Sequence, residues 1–445
     1  MHSLLQTVFL LALVAMVLAA PAPASMKKRS FKVERVPNPK FKGRSPGAGT
    51  RALVKAYRKF LMPLPPGLAD AMSAAQGATK IEGVAEKEQG KGKGHKPSSV
   101  AAATATASAG GASNDGTGVV TATPEQGDVE YLSPVTIGGQ TINMDFDSGS
   151  SDLWVFNTEL AAGSQAGHSN FNPETSTTFQ LLQGASFEIS YGDGSGAAGN
   201  VGTDTVNIGG ATVTNQAVEL ATAVSSSFVQ DTQSNGLVGL AFSKLNTIKP
   251  VQQKTFFDNA IATLPIPVFT ADLRHAAVGA YEFGNIDSTK FNGSLSWTDV
   301  NATSGFWQFS SQQFAVGTGP TMNLAGGQAI ADTGTTLMIA DPSIVNAYYS
   351  QVQGAVNNET VGGVTFPCAA QLPDLAVDIG GNYMATVRGD DINFSPVDAA
   401  GTTCFGGLQA GTAGGLQIYG DIMFKSQFVA FNGGNNSIGM APHQS

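Results

Sequence analysis

Positive charge is scarce through most of this sequence. Only seven of its 24 Lys and Arg lie beyond residue 100, against 28 of its 33 Asp and Glu, so the last 345 residues carry a formal charge of −21. A body this acidic repels phosphate, and neither nucleic acid nor a membrane surface is expected as its partner. Cysteine is nearly absent. The two that occur, Cys368 and Cys404, and five scattered His (His2, His95, His168, His275, His443) form no cluster at metal-ligand spacing, so no metal is expected. In an exported chain such an even pair is most simply one disulfide, closing a loop of about 35 residues and worth roughly 3–4 kcal/mol. Long apolar runs are missing after residue 24, which argues against a membrane span, and Ala441-Pro442-His443-Gln444-Ser445 is no hydrophobic tail for a lipid anchor.

What is present begins with Val8 to Leu18, an apolar stretch followed by Ala19-Ala20-Pro21-Ala22-Pro23-Ala24. It reads as a secretory signal over residues 1–24, cleaved near 20–24, and predicts a secreted, extracellular protein. Between Lys27 and Lys59 stand twelve Lys and Arg against one acid, Glu34. Joined to a very acidic body, that segment is expected to bind its own chain, as a propeptide. From Lys80 to Gly118 the composition turns to Ala, Gly, Ser, Thr and Lys, which cannot bury enough apolar surface to order itself and reads as a cleavable linker. Propeptide and linker are placed at 25–105, with the mature start between about Lys96 and Gly116.

The body alternates short β-type runs with Gly, Asn, Asp and Ser turns, as in Val135-Thr136-Ile137-Gly138-Gly139 and Thr205-Val206-Asn207-Ile208-Gly209-Gly210. Helical periodicity appears only in brief pieces, Lys254 to Leu264 and Pro342 to Gln353. An all-β body of about 325 residues exceeds one small sandwich and predicts two lobes, placed at 106–292 and 293–445 with the boundary near Asp287 to Trp297.

Internal repetition supports the duplication. Asp147-Ser148-Gly149-Ser150 and Asp332-Thr333-Gly334-Thr335 each follow an apolar run, and each is followed about 90 residues later by an apolar-apolar-Gly stretch, Gly236 to Phe242 and Leu416 to Phe424. Two lobes related by a pseudo-twofold axis would bring Asp147 and Asp332 together at their interface. Two carboxyls a few Å apart in a partly desolvated cleft cannot both ionise easily, so one proton is shared. The charged member can deprotonate a water while the neutral member hydrogen-bonds a substrate carbonyl, giving hydrolysis with no covalent intermediate.

With these motifs in order, and with Trp154, Tyr191-Gly192-Asp193-Gly194-Ser195 and Ile418-Tyr419-Gly420-Asp421, the chain resembles the pepsin-like aspartic endopeptidases, the fungal secreted group above all. The resemblance spans about Gly116 to the C terminus and implies an all-β, bilobal pepsin-like fold with the active site between two barrel-like lobes. It implies Asp147 and Asp332 as the catalytic pair, Ser148 and Thr333 as cross-lobe braces, and Ser150 and Thr335 as the hydroxyls beside each carboxylate, with Gly149 and Gly334 between them. Ser148 stands where the family usually has Thr. Tyr191, Gly192, Asp193 and Ser195 correspond to a flap steadied by Trp154, while Phe228 and Leu237 correspond to pocket walls. Cys368 and Cys404 fall where the family keeps a disulfide.

The implied activity is a secreted acid endopeptidase, made as a zymogen that matures at acidic pH. It should favour hydrophobic residues on both sides of the scissile bond and accept Lys before it, through Asp193, with activation of trypsinogen. Assimilation of protein nutrients is the expected role. Polypeptide substrates, the chain's own propeptide as an intramolecular inhibitor and pepstatin-type inhibitors are the expected partners of a monomer that needs no cofactor. Asn292, Asn301, Asn358, Asn393 and Asn435 open Asn-x-Ser/Thr sequons for glycosylation. The alternative is a catalytically silent pepsin-shaped binding protein; against it, the chain keeps both aspartates, the flap Tyr and the Gly after each Asp.

Three other motif matches fail on context. Gly194 to Gly199 fits a dinucleotide fingerprint, but a strand-like run follows where a helix is required. Gly43-Arg44-Ser45-Pro46-Gly47 fits a nucleophile elbow but sits in the basic segment with no strand expected before it. Asp145 to Gly149 begins like a calcium loop, yet its twelfth position is Phe156.

Overall fold

The computed structural model of the chain describes residues 31–35, 44–64, 67–68, 118–124, 131–190, 196–275 and 279–444. The predicted signal segment, residues 80–117 with the expected mature start, and Tyr191 to Ser195 lie outside them.

Alternation of core and solvent positions builds the body. Strands Tyr131–Ile137 and Gln140–Asp147 pair antiparallel around Gly138-Gly139, with Val135 opposite Ile142. Both glycines take positive φ (53° and 82°), which a two-residue hairpin requires and side chains resist. Val135, Ile137, Ile142, Met144 and Phe146 are buried as a result. From Gln140–Asp147 the hydrogen-bonded order runs through Gly236–Gly239, Leu153–Val155, Ala211–Val224 and Gly196–Ile208, and returns to Tyr131–Ile137 at Thr136↔Asn207. Six strands thus close a barrel, which removes the sheet edges an open ladder would expose.

A second unit repeats the centre of the first. Asp147 ends a strand that lies parallel to Gly236–Gly239 (Asp147↔Gly239), and Leu153–Val155 pairs antiparallel with that same partner. Gln328–Ala331, the strand leading into Asp332, lies parallel to Leu416–Tyr419 (Ala331↔Tyr419), and Met338–Ala340 pairs antiparallel with it. The two apolar-Gly stretches recur at similar spacing because each is the strand that holds its aspartate strand in place. The expected all-β, bilobal architecture is therefore present. Helices Phe256–Ala260 and Pro342–Tyr349 fall inside the two periodic pieces, and Gly196–Ile208 is a strand where a dinucleotide fold would need a helix. Cys368 and Cys404 form a disulfide beside the paired strands Gly363–Pro367 and Thr403–Gly406.

A larger sheet runs beneath, carrying Ser296–Asp299, Ser437–Pro442, Gln427–Asn432, Val268–Asp272 and Ala280–Phe283 in that order. Phe269 stacks on Phe431 at 4.4 Å beneath it, and the buried Trp307 donates from Nε1 to the Leu240 carbonyl at 2.9 Å. Strand Phe31–Arg35, from the basic segment, completes this sheet. It pairs antiparallel with Ala280–Phe283 on one side and parallel with Gly118–Pro124 on the other. A strand does therefore precede Ser45, contrary to expectation, but it ends well before it, and the Ser45 hydroxyl accepts from Arg51 at 3.0 Å.

Helix Ala48–Lys59 follows. Ala48, Ala52 and Ala56 recur every fourth residue, and with Leu53, Val54 and Tyr57 they form its buried side. The side lies on the second lobe: Thr50 donates to the Val361 carbonyl (2.6 Å), Tyr57 donates to that of Ala410, and Arg44 donates to that of Phe394 (2.5 Å). Gly49 is required by closeness, since a Cβ there would overlap the Phe405 ring. Arg58 and Lys59 occupy the last turn, where the helix dipole favours cations.

Candidate active site

Asp147 and Asp332 are both almost wholly buried, each at the head of a turn that Gly makes possible. The Gly149 amide donates to Asp147 Oδ1 (2.8 Å) and the Ser150 hydroxyl to Oδ2 (2.6 Å). On the other turn Gly334 N donates to Asp332 Oδ1 (3.0 Å) and the Thr335 hydroxyl to Oδ2. Each glycine also underlies the opposite carboxylate. A Cβ on Gly149 would stand 2.5 Å from Asp332 Oδ1, and one on Gly334 would strike Asp147 Oδ1. Any side chain at either position would push the two acids apart.

Ser148 and Thr333 tie the two turns to each other. Ser148 N donates to Thr333 Oγ1 (3.0 Å) and Thr333 N to Ser148 Oγ (2.9 Å). The Ser148 hydroxyl goes on to the Ala331 carbonyl (2.9 Å) and that of Thr333 to the Phe146 carbonyl (2.7 Å). Ser in place of Thr keeps every one of these bonds, because all of them use the hydroxyl or the backbone.

A side chain that sequence reasoning did not single out fills the space between the acids. Lys59, at the end of helix Ala48–Lys59, places Nζ 2.7 Å from Asp147 Oδ1 and 3.0 and 2.9 Å from Asp332 Oδ1 and Oδ2. Its side chain is 6% exposed. Burial works against the charged ammonium, but the two carboxylates outweigh it and hold Lys59 above its ordinary pKa. Burial also favours the neutral form of each acid. At Asp147 the ammonium and several hydrogen bonds overcome it and the pKa is lowered; at Asp332 burial and the neighbouring Asp147 charge prevail and it is raised. One carboxylate and one readily protonated carboxyl therefore share the site.

Beside it, Trp154, Phe228 and Leu237 belong to one apolar cluster, with the Phe228 ring edge-on to Trp154 at 5.0 Å. Tyr191, Gly192, Asp193 and Ser195 are outside the described residues. Of the sequons, Asn292 and Asn393 donate their Nδ2, the atom a glycan would need, to the carbonyls of His443 and Cys368 (3.1 Å each). At Asn301, Asn358 and Asn435 it is Oδ1 that is engaged, by Thr303 N, Thr360 N and the Ser437 hydroxyl.

Behind Asp147 lies a second pair of acids, also unforeseen. Asp152 and Glu219 are each 1% exposed. Asp152 Oδ1 accepts from Asn246 Nδ2 (2.8 Å) and Thr247 N (2.7 Å), and Glu219 Oε1 accepts from Asn246 Nδ2 (3.2 Å). Among the described residues Asp152 Oδ2 and Glu219 Oε2 have no other donor, the pattern left when two carboxyls share a proton. Burial, then repulsion by Asp152, pushes Glu219 well above the usual carboxylate range.

Residues 130–443 match the family model described as eukaryotic aspartyl protease. Endothiapepsin of Cryphonectria parasitica is 45% identical over 409 residues, covering 91% of this chain and 88% of that protein. Penicillopepsin-3 of Penicillium janthinellum is 49% identical over 326 residues (73% and 82%), and aspergillopepsin-1 of Aspergillus fumigatus is 48% identical over 327 residues (73% and 82%).

Proposed function

Because the chain belongs to the eukaryotic aspartyl protease family, we propose that Asp147 and Asp332 are the catalytic pair of a secreted acid endopeptidase that is made as a zymogen. The observation that carries this reading is the convergence of both carboxyls on one ammonium, in a frame of cross-lobe hydrogen bonds that fixes their separation.

Without the ammonium, two acids at this distance cannot both ionise, so the pair keeps one proton. A water in the space Lys59 fills would lie within reach of both. The charged carboxylate takes a proton from it as its oxygen attacks the peptide carbonyl carbon, and the neutral carboxyl gives its proton to the carbonyl oxygen. Collapse of the resulting gem-diol breaks the C–N bond, with a proton passed to the leaving amine. The hydroxyls of Ser150 and Thr335 hold each carboxyl in plane throughout.

Lys59 supports the zymogen reading. Its ammonium lowers the pKa of each acid relative to the empty site, so docking is strongest while the pair is charged. It weakens as pH falls and the acids protonate, which is the direction of acid maturation. The apolar cluster of Trp154, Phe228 and Leu237 supports a preference for large hydrophobic residues. Acceptance of Lys through Asp193, trypsinogen activation and a role in protein assimilation remain parts of the proposal that rest on the motif alone.

Hydrolysis of denatured haemoglobin or casein at pH 3–4 tests the core of it. Wild-type activity should be abolished by pepstatin, and Asp147→Asn or Asp332→Asn should abolish it while the proform still folds. An Asn variant retaining more than about a tenth of the turnover, a barrier rise below roughly 1.4 kcal/mol, would refute the mechanism. No pepstatin-sensitive hydrolysis at all would favour a silent binding protein.

A further inference from the structure

His168 offers a ring nitrogen to each of two backbone carbonyls. Nδ1 lies 3.1 Å from the Ser234 oxygen and Nε2 lies 3.2 Å from the Val229 oxygen. A carbonyl oxygen can only accept. Neutral imidazole has one N–H, so its other nitrogen would turn a lone pair toward one of these oxygens; the imidazolium donates to both. The ring also lies flat on Phe156, centroids 3.8 Å apart and planes 10° apart, an arrangement that favours a cation over an aromatic face. The acids on the segments around it are committed elsewhere. Asp231, on the loop between the two carbonyls, accepts from Gln233 N, and Glu159, on the segment of His168 itself, accepts from Asn200. No ion pair of His168 is present among the described residues, so the groups that face its ring are the two carbonyls and Phe156.

The two carbonyls bracket the apolar pocket. Val229 follows Phe228 in the short helix Ser226–Gln230, and Ser234 lies three residues before Leu237; both Phe228 and Leu237 sit in the cluster with Trp154. Ser169 N adds a bond to Asn235 Oδ1 at 2.7 Å, so the whole 229–235 loop hangs from the His168 segment. We propose that His168, as an imidazolium, is a positioning residue that holds the Phe228–Leu237 wall of the substrate pocket in place at acidic pH and releases it toward neutrality. The proposal rests on the endopeptidase reading above. It touches no reacting atom, so it should act on substrate binding and leave the chemical step alone.

The test uses the mature enzyme and a peptide with Phe before the scissile bond. At pH 4, His168→Gln, which replaces two donating ring nitrogens by a single amide nitrogen, is expected to raise KM about 3- to 10-fold with kcat within twofold of wild type. As pH rises through the range in which His168 loses its proton, the wild-type KM should climb toward that of the variant, while the variant KM stays flat. Nitrogen-15 NMR of wild-type His168 should show both ring nitrogens protonated at pH 4, with loss of one proton following the rise in KM. A variant KM within 1.5-fold of wild type at pH 4, a loss confined to kcat, or parallel KM profiles in the two proteins would overturn the proposal and leave the endopeptidase reading standing. If His168→Gln fails to fold, the wild-type titration decides: a KM that does not move as His168 deprotonates overturns it. Absence of any peptide hydrolysis by wild type would instead remove the parent reading, and this one with it.

Discussion

Replacing Glu219 by Gln should remove much of the sensitivity of the mature body to rising pH. Glu219 has a folded pKa raised above its unfolded value of about 4.3, so below that unfolded value its contribution to stability is fully present, and it is lost as pH rises through the folded pKa. In that interval the native state holds one proton that the unfolded chain has released. While that difference lasts, stability falls by about 1.4 kcal/mol for each pH unit. Gln is isosteric and keeps the local bonds: its oxygen accepts from Asn246 as Glu219 Oε1 does, and its amide can donate to Asp152 Oδ2, which has no other donor among the described residues. The variant should match wild type within about 1 kcal/mol at pH 4 and pass it near neutrality. At roughly 2 °C per kcal/mol for a body of this size, the midpoint gap should open by about 3 °C for each pH unit over which Glu219 keeps its proton. Calorimetry on both proteins, each also carrying Asp332→Asn to prevent self-digestion, measures it. Melting curves that stay parallel as pH rises from 4 to 7 would show that Asp152 and Glu219 do not share a proton.

Other outcomes follow from the contacts already described. Lys59→Met removes the ammonium between Asp147 and Asp332, so the proform should convert to the mature size at pH 5.5 about 10-fold faster than wild type, read by gel; an unchanged rate would mean that docking does not depend on the ion pair. Leu53→Ala, in the buried side of the Ala48–Lys59 helix, should cost roughly 2–5 kcal/mol of prosegment docking and raise the pH at which the proform opens, followed by protease sensitivity of residues 44–64. Purified proform with Asp147→Asn should stay intact at pH 3.5; conversion with no other protease present would exclude self-processing. Asp193→Ser should cut cleavage after Lys roughly 5- to 30-fold and leave cleavage after Phe unchanged, and equal losses on both substrates would make Asp193 a turn residue.

The duplication and the facing aspartates with their hydroxyls were legible in the sequence because they are carried by a local pattern repeated at a fixed distance, and the disulfide because the chain has only two cysteines. A strand that ends in Asp-Ser/Thr-Gly needs a parallel partner, and the apolar-Gly stretches about 90 residues on supply it. Lys59 was not legible. It is one of twelve basic residues between 27 and 59, and what sets it apart is where the helix ends once Leu53, Val54 and Tyr57 are buried on the second lobe. The Asp152–Glu219 pair was hidden for a similar reason: Glu219 reaches Asp152 through the parallel pairing Trp154↔Glu219, a register that no local pattern announces. His168 looked like one of five scattered histidines until two carbonyls from a distant loop were found on its ring nitrogens.

The strand Phe31–Arg35 sits inside a sheet, hydrogen-bonded on both sides, to Ala280–Phe283 and to Gly118–Pro124. Under the zymogen reading proposed above, cutting away the basic segment would do more than unplug a cleft. It would withdraw an inner rung from a ladder and leave two open edges facing each other in the middle of the molecule, a gap that main-chain groups do not tolerate without a replacement strand. Maturation would on this reading be a strand exchange as well as the removal of a stopper. A mature body made in this way would, once unfolded, lack the strand that its central sheet holds here, and its durability would be set by how slowly it opens rather than by how readily it can be rebuilt.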